Sequence, residues 1–157
     1  MHSVGFTVIA TGVGITDETH AVLSAACTIE HVGWKNRYTT IECFAPISRL
    51  GEVIDDLVAA ARTIGATVQR IEPDPLMTLQ EMAHLSGLGW SAMFAFATYG
   101  TDDPMPGPVA RLAADRPLWD WRAVGPWLAT RGHIEEWLTL IAPIVEEANR
   151  KLGRVAR

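Results

Sequence analysis

The run Thr78-Leu-Gln-Glu-Met-Ala-His-Leu-Ser-Gly-Leu-Gly-Trp90 carries two helix signals on either side of a glycine turn. Thr78 and Glu81 stand three apart, so the hydroxyl can accept from an otherwise unpaired amide while the carboxylate reaches back to the cap. Leu79, Met82, Ala83 and Leu85 follow at the spacing of one helix face. Ser86-Gly87-Leu88-Gly89 supplies a tight turn, because glycine takes positive φ without a Cβ penalty. A second helix is expected over Trp90–Thr98, then a proline-rich loop over 100–108. Residues 109–112 and 117–119 are expected to pair as a short hairpin around 113–116, and Asp120 to cap a third helix carrying Val124, Trp127 and Leu128.

Upstream, Glu72-Pro73-Asp74-Pro75-Leu76 places two prolines within three residues, which stops a strand and stiffens the chain. The spacing predicts a linker over 73–76 and a separate α/β unit over 1–72. Residues 4–10 read as a first strand, and Thr16 as the cap of a helix with a stripe of Ala21, Val22, Ala25, Ala26 and Ile29. A turn around Gly33 and Asn36 leads into the alternating strand RYTTIECF. Leu50, Val53, Ile54, Leu57, Val58 and Ala61 mark a second helix, ended by Gly65 before the strand ATVQRI. The order β, α, short β, β, α, β favours a ferredoxin-like (split βαβ) sandwich.

Residues 77–128 resemble the winged helix-turn-helix domains of the excisionase-like and MerR-like families. The likeness rests on Leu79, Met82, Ala83, Leu85, Gly87, Leu88, Met93, Pro106, Pro108, Val109, Leu118, Trp119, Trp121, Val124, Trp127 and Leu128. Over roughly residues 4–130 the chain also resembles small actinobacterial proteins described as DNA-binding, in which an α/β domain precedes such a module through a Glu-Pro-Asp junction. The resemblance implies double-stranded DNA as partner, with the second helix in the major groove and the hairpin as wing. Aligned on the glycine turn, Met93 and Phe96 face inward. Trp90, Ser91, Phe94, Ala95 and Thr98 face outward. Base readers usually place Arg, Lys, Asn or Gln there, whereas this face offers hydroxyls and aromatic rings, with Trp90 and Phe94 spaced to stack.

The cations are elsewhere. Arg111 and Arg116 flank the hairpin as phosphate contacts, with Arg122 and Arg131 in support or all of them held in surface ion pairs. Asp102 and Asp103, in the loop Gly100-Thr101-Asp102-Asp103, would repel DNA and read as a solvated turn. Thr78 reads as a cap before a phosphate contact, and Trp119, Trp121 and Trp127 read as core. The net charge of −5 provides no basic platform. Residues 1–75 hold five basic and nine acidic side chains, residues 76–132 four and five, and the remainder four and four.

No nucleophile motif, phosphate-binding glycine loop or metal-ligand spacing is present, so no catalysis, metal or cofactor is expected. The Gly-Val-Gly at 12–14 lacks a third glycine and reads as a turn. Cys27 and Cys43 read as small buried apolar groups. No apolar run reaches membrane-spanning length and the start lacks a basic leader, which points to a cytoplasmic protein.

Residues 131–157 read as a C-terminal amphipathic helix and basic tail. Ile134, Trp137, Leu138, Ile141, Ile144, Val145, Ala148 and Leu152 form its stripe, with Pro143 expected to bend or break it. The stripe serves either a homodimer or a fold back over Trp90 and Phe94. The sequence therefore reads as α+β: a ferredoxin-like unit over 1–72, a winged helix-turn-helix over 77–130, and this C-terminal helix. Two functions follow: a DNA-binding, transcription-associated protein, or a protein-interaction module of antitoxin, immunity or adaptor type on a helix-turn-helix that no longer reads DNA. In either, Trp90, Ser91, Phe94, Thr98, Arg111 and Arg116 form the contact surface. A small-molecule pocket among the aromatics and methionines of 90–105 is a third.

Overall fold

Along β1 (Ser3–Thr11), Val4, Phe6, Val8 and Ala10 are buried and alternate with exposed or half-buried residues. The strand therefore covers one face and leaves the other open. The computed structural model describes residues 2–12, 14, 16–100 and 102–155. Val13 of the turn at 12–14, Thr101 of the expected loop and Arg157 of the tail lie outside them. By its internal contacts the chain divides into two units: residues 1–73 with 144–157, and residues 74–143.

In the first unit β1 is followed by α1 (Asp17–Ser24), β2 (Thr28–Lys35) and β3 (Tyr38–Pro46). A short 3-10 turn (Ile47–Arg49), α2 (Leu50–Thr63) and β4 (Thr67–Glu72) complete the run. The strands form one sheet in the order β2-β3-β1-β4, with every neighbouring pair antiparallel. Val8 stands opposite Ile41 on one side and Ile71 on the other, and all three are fully buried. The second helix follows its sequence pattern: Leu50, Val53, Ile54, Leu57, Val58 and Ala61 are its buried residues.

The first helix departs from expectation. Only Leu23 is buried on α1, while Ala21, Val22 and Ala25 are exposed. The helix stops at Ser24 because Thr28–Lys35 is drawn into pairing with β3, which takes Ile29 into a strand. Gly33 likewise lies inside β2, opposite Thr40. The hairpin turn is made by Asn36 and Arg37, both at positive φ (53° and 72°), as a two-residue turn requires.

The second unit holds β5 (Leu76–Met77), α3 (Leu79–Ser86), α4 (Trp90–Thr98), β6 (Trp119–Asp120), α5 (Trp121–Thr130) and a 3-10 turn (Glu136–Leu140). Leu76 is not linker: β5 pairs antiparallel with β6, matching Leu76 with Asp120 and Met77 with Trp119. Pro75 accepts from the Trp121 amide at 2.9 Å, and Asp74 accepts from the Leu76 amide at 3.1 Å. The core gathers Met77, Met82, Met93, Trp119, Trp121, Val124 and Leu128. Trp121 is fully buried and donates its indole N–H to the Leu138 carbonyl at 3.1 Å.

The C-terminal segment is not one helix. After the 3-10 turn, α6 (Ile141–Val155) begins, and Pro143 sits in its first turn, where a missing amide costs nothing, so no break occurs. From Ile144 onward its residues belong to the first unit. Val145 and Ala148 are buried, and Lys151 pairs with Asp55 of α2 at 3.0 Å. Much of the stripe expected to zip a homodimer is thus used within the chain. No helix among the described residues is long and apolar enough to cross a membrane.

Candidate nucleic-acid interface

The geometry of residues 78–98 grows from local chemistry. Thr78 Oγ1 accepts from the Glu81 amide at 3.2 Å, and the Glu81 carboxylate accepts from the Thr78 amide at 3.1 Å, closing the capping box. Gly87 ends α3 at φ 72°, and Ser86 Oγ accepts from the Leu88 amide at 3.2 Å. Gly89, at φ 86°, sets the start of α4. The two positive-φ glycines, Gly87 and Gly89, fix which way α4 turns its faces.

Met93 is fully buried and Phe96 packs on the core beside it. Trp90, Ser91, Phe94 and Thr98 are exposed. Trp90 and Phe94 stack at 4.7 Å between ring centroids and 15° between planes, yet remain 51% and 41% exposed. Among the described residues nothing closes this pair off from solvent. Ala95, expected outward, is half-buried and helps line a cleft of about 220 Å³ with Phe96, Tyr99, Met105 and Trp127. That is smaller than the roughly 300 Å³ at which small-molecule sites begin.

The loop after α4 is held from α5. Arg131 lies 4.0 Å over the Trp127 ring, donates to the Asp103 carbonyl at 3.0 Å and pairs with the Asp103 carboxylate. Trp127 donates its indole N–H to the same carbonyl at 3.2 Å. Asp103 is therefore an anchored group and not a free turn residue, and Arg131 is spent on it. Arg122 is likewise occupied: it meets both Asp120 oxygens at 2.9 Å. The same side-chain contact holds the Asp120 carboxyl below its usual range against the opposing effect of burial, and the Arg122 amide adds a smaller pull in the same direction as the contact.

The expected hairpin is narrower than predicted. One bridge joins Ala110 to Leu118, with the Val109 amide 2.8 Å from the Leu118 carbonyl, because Trp119 is taken by β5. Arg111 stands at φ 52° and accepts from the Ala114 amide at 3.0 Å to close the turn. Arg111 and Arg116 are exposed and hold no ion pair among the described residues. Val109 and Leu112 add exposed apolar surface on the same hairpin, and Tyr99 adds more at the end of α4. Sequence reasoning placed Val109 and Leu112 in the hairpin and Tyr99 within the 90–105 segment without reading any of the three as contact surface, since an isolated apolar residue outside a helix or strand repeat has no periodicity to show which way it faces.

No protein-family model, curated protein or solved structure matches the chain.

Proposed function

We propose that this chain is a small cytoplasmic DNA-binding protein that acts by binding alone, through a winged helix-turn-helix over residues 77–130 preceded by a ferredoxin-like unit. One observation carries the reading. Of the four arginines in residues 74–143, Arg122 and Arg131 are neutralised by Asp120 and Asp103, and the two that hold no ion pair among the described residues, Arg111 and Arg116, both stand on the hairpin that would act as wing. The succession α3, glycine turn, α4, hairpin, α5 supports the winged assignment. The antiparallel order β2-β3-β1-β4 supports the ferredoxin-like one. In the groove, Ser91 and Thr98 supply hydroxyls while Trp90 and Phe94 offer apolar contact to a thymine methyl. A homodimer reading two half-sites would need a surface other than the buried stripe of α6.

Two phosphate-directed arginines imply a shallow salt dependence, with a logarithmic slope of about −2. Fluorescence anisotropy on a randomised duplex pool, followed by selection of the tightest sequences, tests this. Binding that weakens with that slope and vanishes in Arg111→Ala/Arg116→Ala supports the reading. No retention of any duplex at low salt and micromolar protein overturns it.

A second reading has its own observation. The exposed Trp90–Phe94 stack lies on a helix with no cation, which suits a protein partner better than a phosphate backbone. As an interaction module of antitoxin, immunity or adaptor type, the chain would lose its partner in Trp90→Ala/Phe94→Ala while its far-ultraviolet circular dichroism stayed unchanged. Retention of that partner by the double variant counts against the module.

A further inference from the structure

The open face of the β2-β3-β1-β4 sheet holds a cleft of about 640 Å³, within the size range of small-molecule sites. Its walls include Thr7, Ile9, Lys35, Tyr38, Glu42 and Glu72. Strand alternation puts them there. Thr7 and Ile9 lie between the buried Phe6, Val8 and Ala10 of β1, while Tyr38 and Glu42 alternate with the buried Thr39, Ile41 and Cys43 of β3.

Register sorts the polar groups into rows. Thr7 stands opposite Glu42 on one side and Glu72 on the other, so two carboxylates flank one hydroxyl, with their Cα atoms about 10 Å apart. His31 ends that row beyond Glu42. Two residues along the strands, Ile9 stands between Thr40 and Arg70. Two residues further, Tyr38 stands opposite Lys35, about 14 Å from the acidic row. The cleft thus runs from an acidic end, across an apolar floor at Ile9, to a lysine and a phenol. Glu42, Glu72 and Lys35 hold no ion pair among the described residues.

We propose that this cleft binds a short, extended peptide by its two charged ends. The N-terminal ammonium sits over Thr7 between Glu42 and Glu72, and the C-terminal carboxylate meets the Lys35 ammonium. A side chain between them rests on Ile9. The spacing selects the ligand class. The charges of a free amino acid are too close together to reach both ends, whereas an extended chain of about three to four residues spans the cleft. A polyamine would bring its second cation against Lys35, and a nucleotide would bring phosphates against Glu42 and Glu72. Only a ligand with opposite charges at its two ends complements both. The site gives the first unit a binding role of its own.

The experiment titrates the isotope-labelled full chain with alanyl-leucyl-alanine and follows the backbone amide resonances. The expected result is saturable shifts centred on Thr7, Ile9, Tyr38 and Glu42. The N-acetylated and the C-terminally amidated tripeptides should each bind about three- to fivefold more weakly, the worth of an exposed ion pair. Glu42→Gln/Glu72→Gln should bind the free and acetylated peptides equally, and Lys35→Met the free and amidated ones equally. No saturable shift at about 10 mM peptide, shifts centred away from the open face, equal affinity of the unmodified chain for all three peptides, or tighter binding of spermidine each overturns the proposal. The comparison of the three peptides needs no variant, so a folding defect in any variant leaves the test intact.

Discussion

Asn149 occupies the place of a strand at the open edge of β4: its Oδ1 accepts from the Ile71 amide at 2.8 Å and its Nδ2 donates to the Ile71 carbonyl at 2.9 Å. β4 is the last strand of the sheet, so these two backbone groups have no ladder partner on that side. Residues 71 and 149 are joined by nothing local in sequence. The contact binds α6 to the sheet of the same unit.

Asn149→Ala should therefore leave one amide and one carbonyl of Ile71 unpaired and lower stability by about 1–3 kcal/mol. Denaturant unfolding of the variant measures it. An unchanged midpoint would mean that water replaces the amide at this edge.

Gly125 is a packing requirement of Trp121. A Cβ at position 125 would lie 3.1 Å from Trp121 Cε2, and the indole cannot swing away while its N–H is held by the Leu138 carbonyl. Alanine normally favours a helix over glycine by about 1 kcal/mol. At this position the overpacking reverses the sign, and Gly125→Ala should destabilise by about 1–2 kcal/mol net. A raised Tm in the variant would show that the indole yields.

Elements whose pattern is local were legible in the sequence. All six apolar positions of α2 point inward as spaced, and the α3 capping box forms with both of its bonds. Elements that depend on distant partners were not. An alanine-rich stretch from Ala21 to Ala26 fits several helix faces equally, and the choice of Leu23 is made by the sheet. A two-residue strand at Leu76–Met77 has no periodicity of its own and exists because residues 119 and 120 pair with it. The outward face of α4 could be read because Gly87 and Gly89 fix its direction, leaving Trp90 and Phe94 outside. The loss of Arg131 to Asp103, 28 residues away, could not be read, because charge counts carry no pairing.

Arg37 holds a left-handed conformation at φ 72° in the second central position of the β2–β3 turn, next to Asn36 at φ 53°. Asn-Gly is the favoured pair for this turn, since an L side chain in that region costs roughly 1–2 kcal/mol. Arg37→Gly loses part of this gain to backbone entropy, and a net stabilisation of about 0.5–1 kcal/mol is expected. The thermal midpoint reports it. A destabilised variant would assign Arg37 a contact that outweighs the strain.

The Asp120–Arg122 pair gives α5 an acid-sensitive start. Asp120 caps the helix by accepting from the Arg122 amide at 2.9 Å, and the Arg122 side chain lowers its pKa from the ordinary 3.8. A carboxyl lowered in the folded state contributes stability that is fully present above its unfolded pKa and is lost as pH falls through the folded value. The window therefore opens just below pH 4 and runs downward. Asp120→Asn keeps an acceptor for the cap but has no proton to gain, so it should be slightly less stable than the parent at neutral pH and should close that gap in strong acid. Asp120→Ala loses the cap as well, costing about 1 kcal/mol at neutral pH. Unfolding midpoints of the three proteins across the acid range separate the two contributions. A gap between the parent and Asp120→Asn that stayed constant below pH 4 would mean that the ion pair, exposed on the Arg122 side, adds nothing to the fold.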